Sequence, residues 1–172
     1  DIQSALAQKG IDAGQVRYII LTHVHLDHAS GAGAAMRAFP NAQLVVHPRG
    51  ARHMIAPSKL IAGATEVYGA QAIADMYGDI LPVEASRVIE THDGFTLDFN
   101  GRALEFIDTP GHAKHHHCIW DARSQGWFTG DTFGLAYPEC TVDGRAFIFP
   151  TTSPVQFDPV ALRTSVERLL AR

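Results

Sequence analysis

The stretch THVHLDHASG, Thr22 to Gly31, follows directly on the run VRYIIL and sets His23, His25, Asp27 and His28 within one turn-sized segment. An apolar run of this kind reads as a buried strand, so the four polar side chains stand at a strand's C-terminal end. Neutral imidazole nitrogen and carboxylate oxygen are the donors that zinc and similar divalent ions prefer. In extended backbone, residues two apart project the same way, so His23 and His25 suit one ion. A change of direction at Leu26 would let Asp27 and His28 face a second, and the spacing alone permits two ions.

The remainder reads as alternating α and β signals. Ile2 to Ala7 suits a short helix stopped by Gly10; GAGAAMRAF is a small-residue helix closed by Pro40-Asn41, and AQLVVH is a second buried strand. This strand, helix, strand order is typical of α/β packing. Residues 48–80 carry mostly helical apolar spacing, interrupted at Pro57 and Gly63, and are expected to form a helical insert over the site. From Arg87 the pattern turns to β, with Asp93-Gly94 and Asn100-Gly101 as turn signals and HCIWDARSQGWFTGD as a further hairpin. Pro159 to Arg172 closes the chain as an amphipathic helix. No repeat and no linker divides residues 1–172, so one domain is expected.

Composition narrows the partners. A net charge of -4 and a pI of about 6.2, with scattered basic residues, leave no electrostatic footprint for nucleic acid. No apolar stretch approaches the roughly 20 residues of a membrane-spanning helix, so no membrane partner is expected. Cys118 and Cys140 are too sparse for a disulfide scaffold, and reduced thiols in a cytoplasmic protein are the expectation. Cys118 reads as a buried strand residue with nothing nearby to activate a thiolate.

Two further motifs stand where strands end. DTPGH places His112 after a Pro-Gly turn, and FTGDT places Asp131 after another strand, both in loops of the kind where functional residues collect. His47, His53 and His92 read as surface or satisfied core residues, and in the tract HAKHHH His115 and His117 are expected at the surface or rim. Thr22 and Thr109 are candidates for bonding to the ligands, equally readable as strand-end hydroxyls bonded to backbone. Tyr137 and Phe149, in the loop FGLAYPECTVDGRAFIFPTT, are candidate pocket walls that could also be packing residues.

THVHLDH, TPGH and TGD, in this order and each at a strand end, resemble the motifs of the metallo-β-lactamase superfamily. The resemblance implies an αββα sandwich of the α/β (α+β) class, here with strands at the N- and C-terminal ends apparently missing. It also implies two divalent ions, zinc first, with manganese or iron as alternatives. His23, His25 and His112 would hold the first ion, Asp27 and His28 the second, and Asp131 would bridge both. The family's TPGHTxGH is similar to TPGHAKHH, which keeps a histidine at His116 for a supporting role and carries His115 in place of glycine. His28 and the bridging-type Asp131 look like the hydroxyacylglutathione hydrolase and lactonase branch rather than the antibiotic-hydrolysing members. No histidine follows Asp131, although the family usually supplies one more; with the mid-pattern start at Asp1, this reads as a truncated chain.

The activity this implies is cleavage of an ester, thioester or lactone in a small-molecule substrate by metal-activated water, with Asp27 orienting the nucleophile. Two other readings stay open: a mononuclear iron persulfide dioxygenase of the same superfamily, and a non-catalytic metal- or partner-binding domain. Substrate identity and oligomeric state are not encoded legibly.

Overall fold

The computed structural model describes residues 2–172; Asp1, where the truncated-chain reading begins, lies outside them. The chain divides into two compact units, one ending at Thr91 and the other spanning His92–Arg172.

The first unit is a three-stranded parallel sheet with helices. In chain order it contains α1 (Ile2–Gln8), β1 (Tyr18–Ile20), α2 (Leu26–Ala29), α3 (Ala32–Ala38), β2 (Gln43–Val46), α4 (Pro48–Ile55), α5 (Ser58–Tyr68), α6 (Ala70–Tyr77) and β3 (Val88–Glu90). Strand β2 lies between β1 and β3, pairing Ile19 with Leu44 and Val45 with Ile89. Its residues Leu44, Val45 and Val46 are wholly buried, as the unbroken apolar run requires of a central parallel strand. The residues of β1 are only half-buried, because β1 is an edge.

Leu21, Val24, Met36, Phe39, Leu44, Val46 and Met54 form this unit's core. Small residues let the helices approach: a Cβ on Gly50 in α4 would lie 2.7 Å from a Val24 methyl, and one on Gly33 in α3 would lie 2.0 Å from the Leu81 carbonyl oxygen. The Arg87 guanidinium donates to the carbonyls of Met36, Phe39 and Ala42, satisfying acceptors left open where α3 ends.

The expected helical segment is present as α4, α5 and α6, and it breaks at Pro57 as expected, between α4 and α5, but not at Gly63. Gly63 lies inside α5; the second interruption falls instead at Gly69, whose φ of 85° leaves the helical region. A glycine within a helix costs about 1 kcal/mol against alanine, too little to stop one held by neighbouring turns. Positive φ does stop it.

The second unit is an antiparallel meander of β4 (Phe95–Phe99), β5 (Arg102–Asp108), β6 (His117–Asp121) and β7 (Gly126–Phe128). It continues through the short pair β8 (Leu135–Ala136) and β9 (Ile148–Phe149) to α7 (Pro159–Leu170). Asn100 and Gly101, at φ 53° and 78°, make the two-residue connection from β4 to β5, as their turn signal implied. The turn from β6 to β7 is tied by Asp121, whose carboxylate accepts from Arg102 and Ser124 side chains and the Arg123 backbone. The Arg102 and Ser124 bonds hold that carboxyl far below the usual carboxylate range. The Asp158 side chain caps α7, accepting from Val160 and Ala161 backbone N–H at 3.0 Å each. Mixed α and β architecture is thus what the sequence implied. Among the described residues, no helix is long and apolar enough to cross a membrane.

Candidate metal centre

The first unit gathers four of the expected ligands. His25, the N-cap of α2, has extended backbone with φ -64° and ψ 151°; helix begins at Leu26, the expected point of redirection. His23 is completely buried, whereas Asp27 and His28 are exposed. The His23 ring centroid lies 4.7 Å from that of His25 and 4.1 Å from that of His28, and His28 Nε2 is 3.3 Å from Asp27 Oδ2. Thr22 Oγ1 stands 3.2 Å from His23 Nδ1. With that nitrogen donating, Nε2 presents the lone pair that a metal requires.

The second unit gathers the others. His112 follows Pro110-Gly111, and the turn is braced by residues remote in sequence. Gly111 has φ 135°, and a Cβ there would lie 2.3 Å from Leu162 Cα, so α7 packs directly on the turn backbone. Ser165 Oγ donates to the Pro110 carbonyl at 2.7 Å, and the Gly111 carbonyl accepts from Asp158 N–H at 2.7 Å. The ring is oriented in turn: His112 Nδ1 lies 2.7 Å from the Thr151 carbonyl, to which it must donate, while Ser153 Oγ donates to the His112 carbonyl. His112 Nε2 then presents its lone pair 3.4 Å from Asp131 Oδ2. Sequence reasoning missed Thr151, Ser153 and Ser165, since only folding brings residues 39 to 55 positions away onto this turn.

His116 is buried, with its centroid 5.9 Å from that of His112. Its Nε2 accepts the Asp131 backbone N–H at 3.1 Å and its Nδ1 lies 2.8 Å from Thr109 Oγ1. Thr109 therefore bonds to side chains rather than acting as an ordinary strand-end hydroxyl.

Two expectations are corrected. His115 and His117 are buried, not surface or rim residues. His117 opens β6, an inner strand paired there with β5, and its ring meets Phe106 edge-on at 5.0 Å. His115 replaces the family's glycine without strain, since among the described residues only Asn100, Gln125 and Asp143 are non-glycines at positive φ. His47 is a structural residue, buried and capping α4 by accepting the Arg49 N–H at 3.1 Å. Tyr137 is 52% exposed and packs on Phe149 at 5.6 Å, within an exposed stretch that also includes Phe147 and Ile148.

Tyr77, at the end of α6, was not singled out by sequence. Burial pushes its phenol above the ordinary value, and the nearby Asp27 carboxylate pushes the same way. In sequence it is one aromatic among the apolar residues of a helix, with no signal to separate it from packing.

Imidazoles and carboxylates gathered in strand-end loops, with rings oriented by hydroxyl and carbonyl groups, are the equipment of a metal-binding α/β protein. A family profile described as the metallo-beta-lactamase superfamily matches residues 1–171, and the chain belongs to that superfamily. Its members bind divalent metals and include many metal-dependent hydrolases.

The metallo-beta-lactamase fold-containing protein ST1585 of Sulfurisphaera tokodaii is 28% identical over 142 residues, 80% of this chain and 50% of the relative. Its crystal structure aligns with a TM-score of 0.72 over 90% of this chain and 57% of the other, at 29% identity. A hydroxyacylglutathione hydrolase of a Polaromonas species is 30% identical over 133 residues, covering 77% of this chain and 39% of that protein. An atrochrysone carboxyl ACP thioesterase of Aspergillus fumigatus is 28% identical over 118 residues, covering 69% and 28%. The chain thus spans half or less of the length of these curated relatives.

Proposed function

We propose that this chain carries the metal-binding core of a hydrolase that cleaves an ester, thioester or lactone bond, with thioesters the first class to test. The observation that carries the reading is His112, held by the Thr151 carbonyl with its lone-pair nitrogen beside the Asp131 carboxylate. That is how a metalloenzyme orients a ligand before the metal arrives. The names of two relatives, a hydroxyacylglutathione hydrolase and an acyl-carrier thioesterase, support the substrate class.

The donor set fits two divalent ions, zinc first. His23, His25 and His112 would hold one, Asp27 and His28 the other, and Asp131 would bridge them. Bound there, the ions would supply Lewis acidity, lowering the pKa of water toward 7 and polarising the substrate oxygen. Asp27, exposed and beside His28, orients the nucleophile and carries a proton toward the leaving group. Thr22 and Thr109 keep the rings of His23 and His116 in register. The helices α4 to α6 would supply walls for a small-molecule substrate.

The test is metal content of the purified whole protein by inductively coupled plasma mass spectrometry, followed by thioester, ester and lactone substrates with and without chelator. Near two zinc or manganese ions per chain with chelator-sensitive turnover is expected. One iron with oxygen uptake on a persulfide would replace this reading with the dioxygenase. Bound metal without turnover of any of these substrates would replace it with a binding domain.

A further inference from the structure

Cys118 is wholly buried in β6, two residues beyond His116. It is more than apolar filling, because three polar groups converge on its sulfur. Thr109 Oγ1 donates to Sγ at 3.3 Å, Sγ lies 3.3 Å from the Thr129 carbonyl, and Thr132 Oγ1 lies 3.2 Å away. A carbonyl only accepts, so the thiol hydrogen goes to Thr129 and the Thr132 hydroxyl must donate to sulfur. Burial pushes the Cys118 thiol up, which keeps the hydrogen this bond needs.

The same logic orients the next link. Asp131 N–H occupies the lone pair of His116 Nε2, so the neutral ring carries its hydrogen on Nδ1 and donates it to Thr109 Oγ1. The Thr109 hydroxyl has its own hydrogen on Cys118 and accepts from His116 with a lone pair. Donors and acceptors thus run in one sense, from the Asp131 amide through His116, Thr109 and Cys118 to the Thr129 carbonyl. That carbonyl also receives Thr132 N–H at 3.2 Å, closing the tight turn in which Gly130 has φ 48°. Asp131 sits inside this turn.

We infer that Cys118 and Thr109 are positioning residues for Asp131: they fix His116 as the Nδ1–H tautomer and clamp the Thr129–Thr132 turn on both sides of the carboxylate-bearing residue. The inference rests on the reading of Asp131 as a metal ligand. It assigns Cys118 a part in holding the second ion, although its thiol touches neither ion nor substrate. Such supporting groups typically change metal affinity 10- to 100-fold, roughly, when removed.

The test has two readouts on the whole protein. In metal-free protein, long-range proton–nitrogen spectra should show His116 as the Nδ1–H tautomer, and Thr109→Val should shift it toward Nε2–H and move the Asp131 amide resonance. In zinc titrations, Cys118→Ala should weaken the second ion about tenfold and leave the first in place, with Cys118→Ser restoring most of the loss. An Nε2–H tautomer in the unsubstituted protein overturns the inference, as does unchanged zinc affinity in folded Cys118→Ala. A purely structural role would lower the melting temperature without moving either readout. Should Cys118→Ala fail to fold, the Thr109→Val spectrum decides alone. The metal-free spectrum does not depend on hydrolysis, so failure of the clamp and failure of the hydrolase reading are told apart.

Discussion

His112 donates its Nδ1 proton to the Thr151 carbonyl across 2.7 Å, a bond that spans 39 positions in the chain. It fixes which nitrogen of His112 faces Asp131, and Ser153 secures the same segment through the His112 carbonyl. Ser153→Ala should therefore loosen the ring's orientation and weaken metal binding by about tenfold, at the mild end for a supporting group. Competition of the protein with a chromogenic zinc chelator measures it. Unchanged affinity would show that the Thr151 contact alone suffices.

The ligand roles separate by substitution. His23→Ala should abolish metal retention, because this buried imidazole lies against both His25 and His28. Asp131→Ala should chiefly lose the second ion. Metal analysis of both variants decides, and unchanged content in the pair would sink the assignment of the centre.

The turn before His112 has no room for a side chain. Gly111→Ala meets the α7 backbone at Leu162 and a φ of 135°, a combined cost of about 3 kcal/mol or more. Thermal unfolding should show a fall of several degrees at least, together with lost metal. A melting temperature within about 2 °C of the parent would contradict the packing described.

Helix α7 braces that turn, so its cap matters at a distance. Asp158→Ala removes the acceptor for two backbone N–H groups and should cost about 1 kcal/mol in urea unfolding. Ser165→Ala, which removes the bond to the Pro110 carbonyl, should cost a similar amount.

Acid should act partly through Asp93. The Arg168 guanidinium, bonded to it at 2.8 and 2.9 Å, holds its carboxyl below the usual carboxylate range, with the Asp108 N–H assisting. A carboxyl depressed in the folded state contributes stability above its unfolded pKa of about 3.9, and that contribution fades as pH falls through the folded value. Both side chains are nearly half exposed, so the contribution is below about 1 kcal/mol. Urea unfolding of Arg168→Ala and the parent protein should differ at pH 7, and the gap should shrink as pH falls below the unfolded value of about 3.9. A gap that stays constant would assign the effect to packing rather than charge.

Much was legible in the sequence because the signals are local. The apolar run of β2 declares a central parallel strand, Asn100-Gly101 declares its turn, and His23, His25, Asp27 and His28 lie within one turn-sized segment. The errors had equally physical origins. Gly63 looked like a helix breaker because propensity ignores the turns on either side, and His115 and His117 looked exposed because histidine is polar, although both are buried and His117 packs on Phe106.

The sequence by itself determined the types of the candidate ligands, their order and the strand ends that carry them, since each depends on residues within a few positions of one another. Only the tertiary structure decided which nitrogen each ring presents and what holds Asp131 in place. Those depend on Thr151, Ser153, Ser165 and Cys118, whose hydrogen bonds join chain positions that local patterning cannot relate.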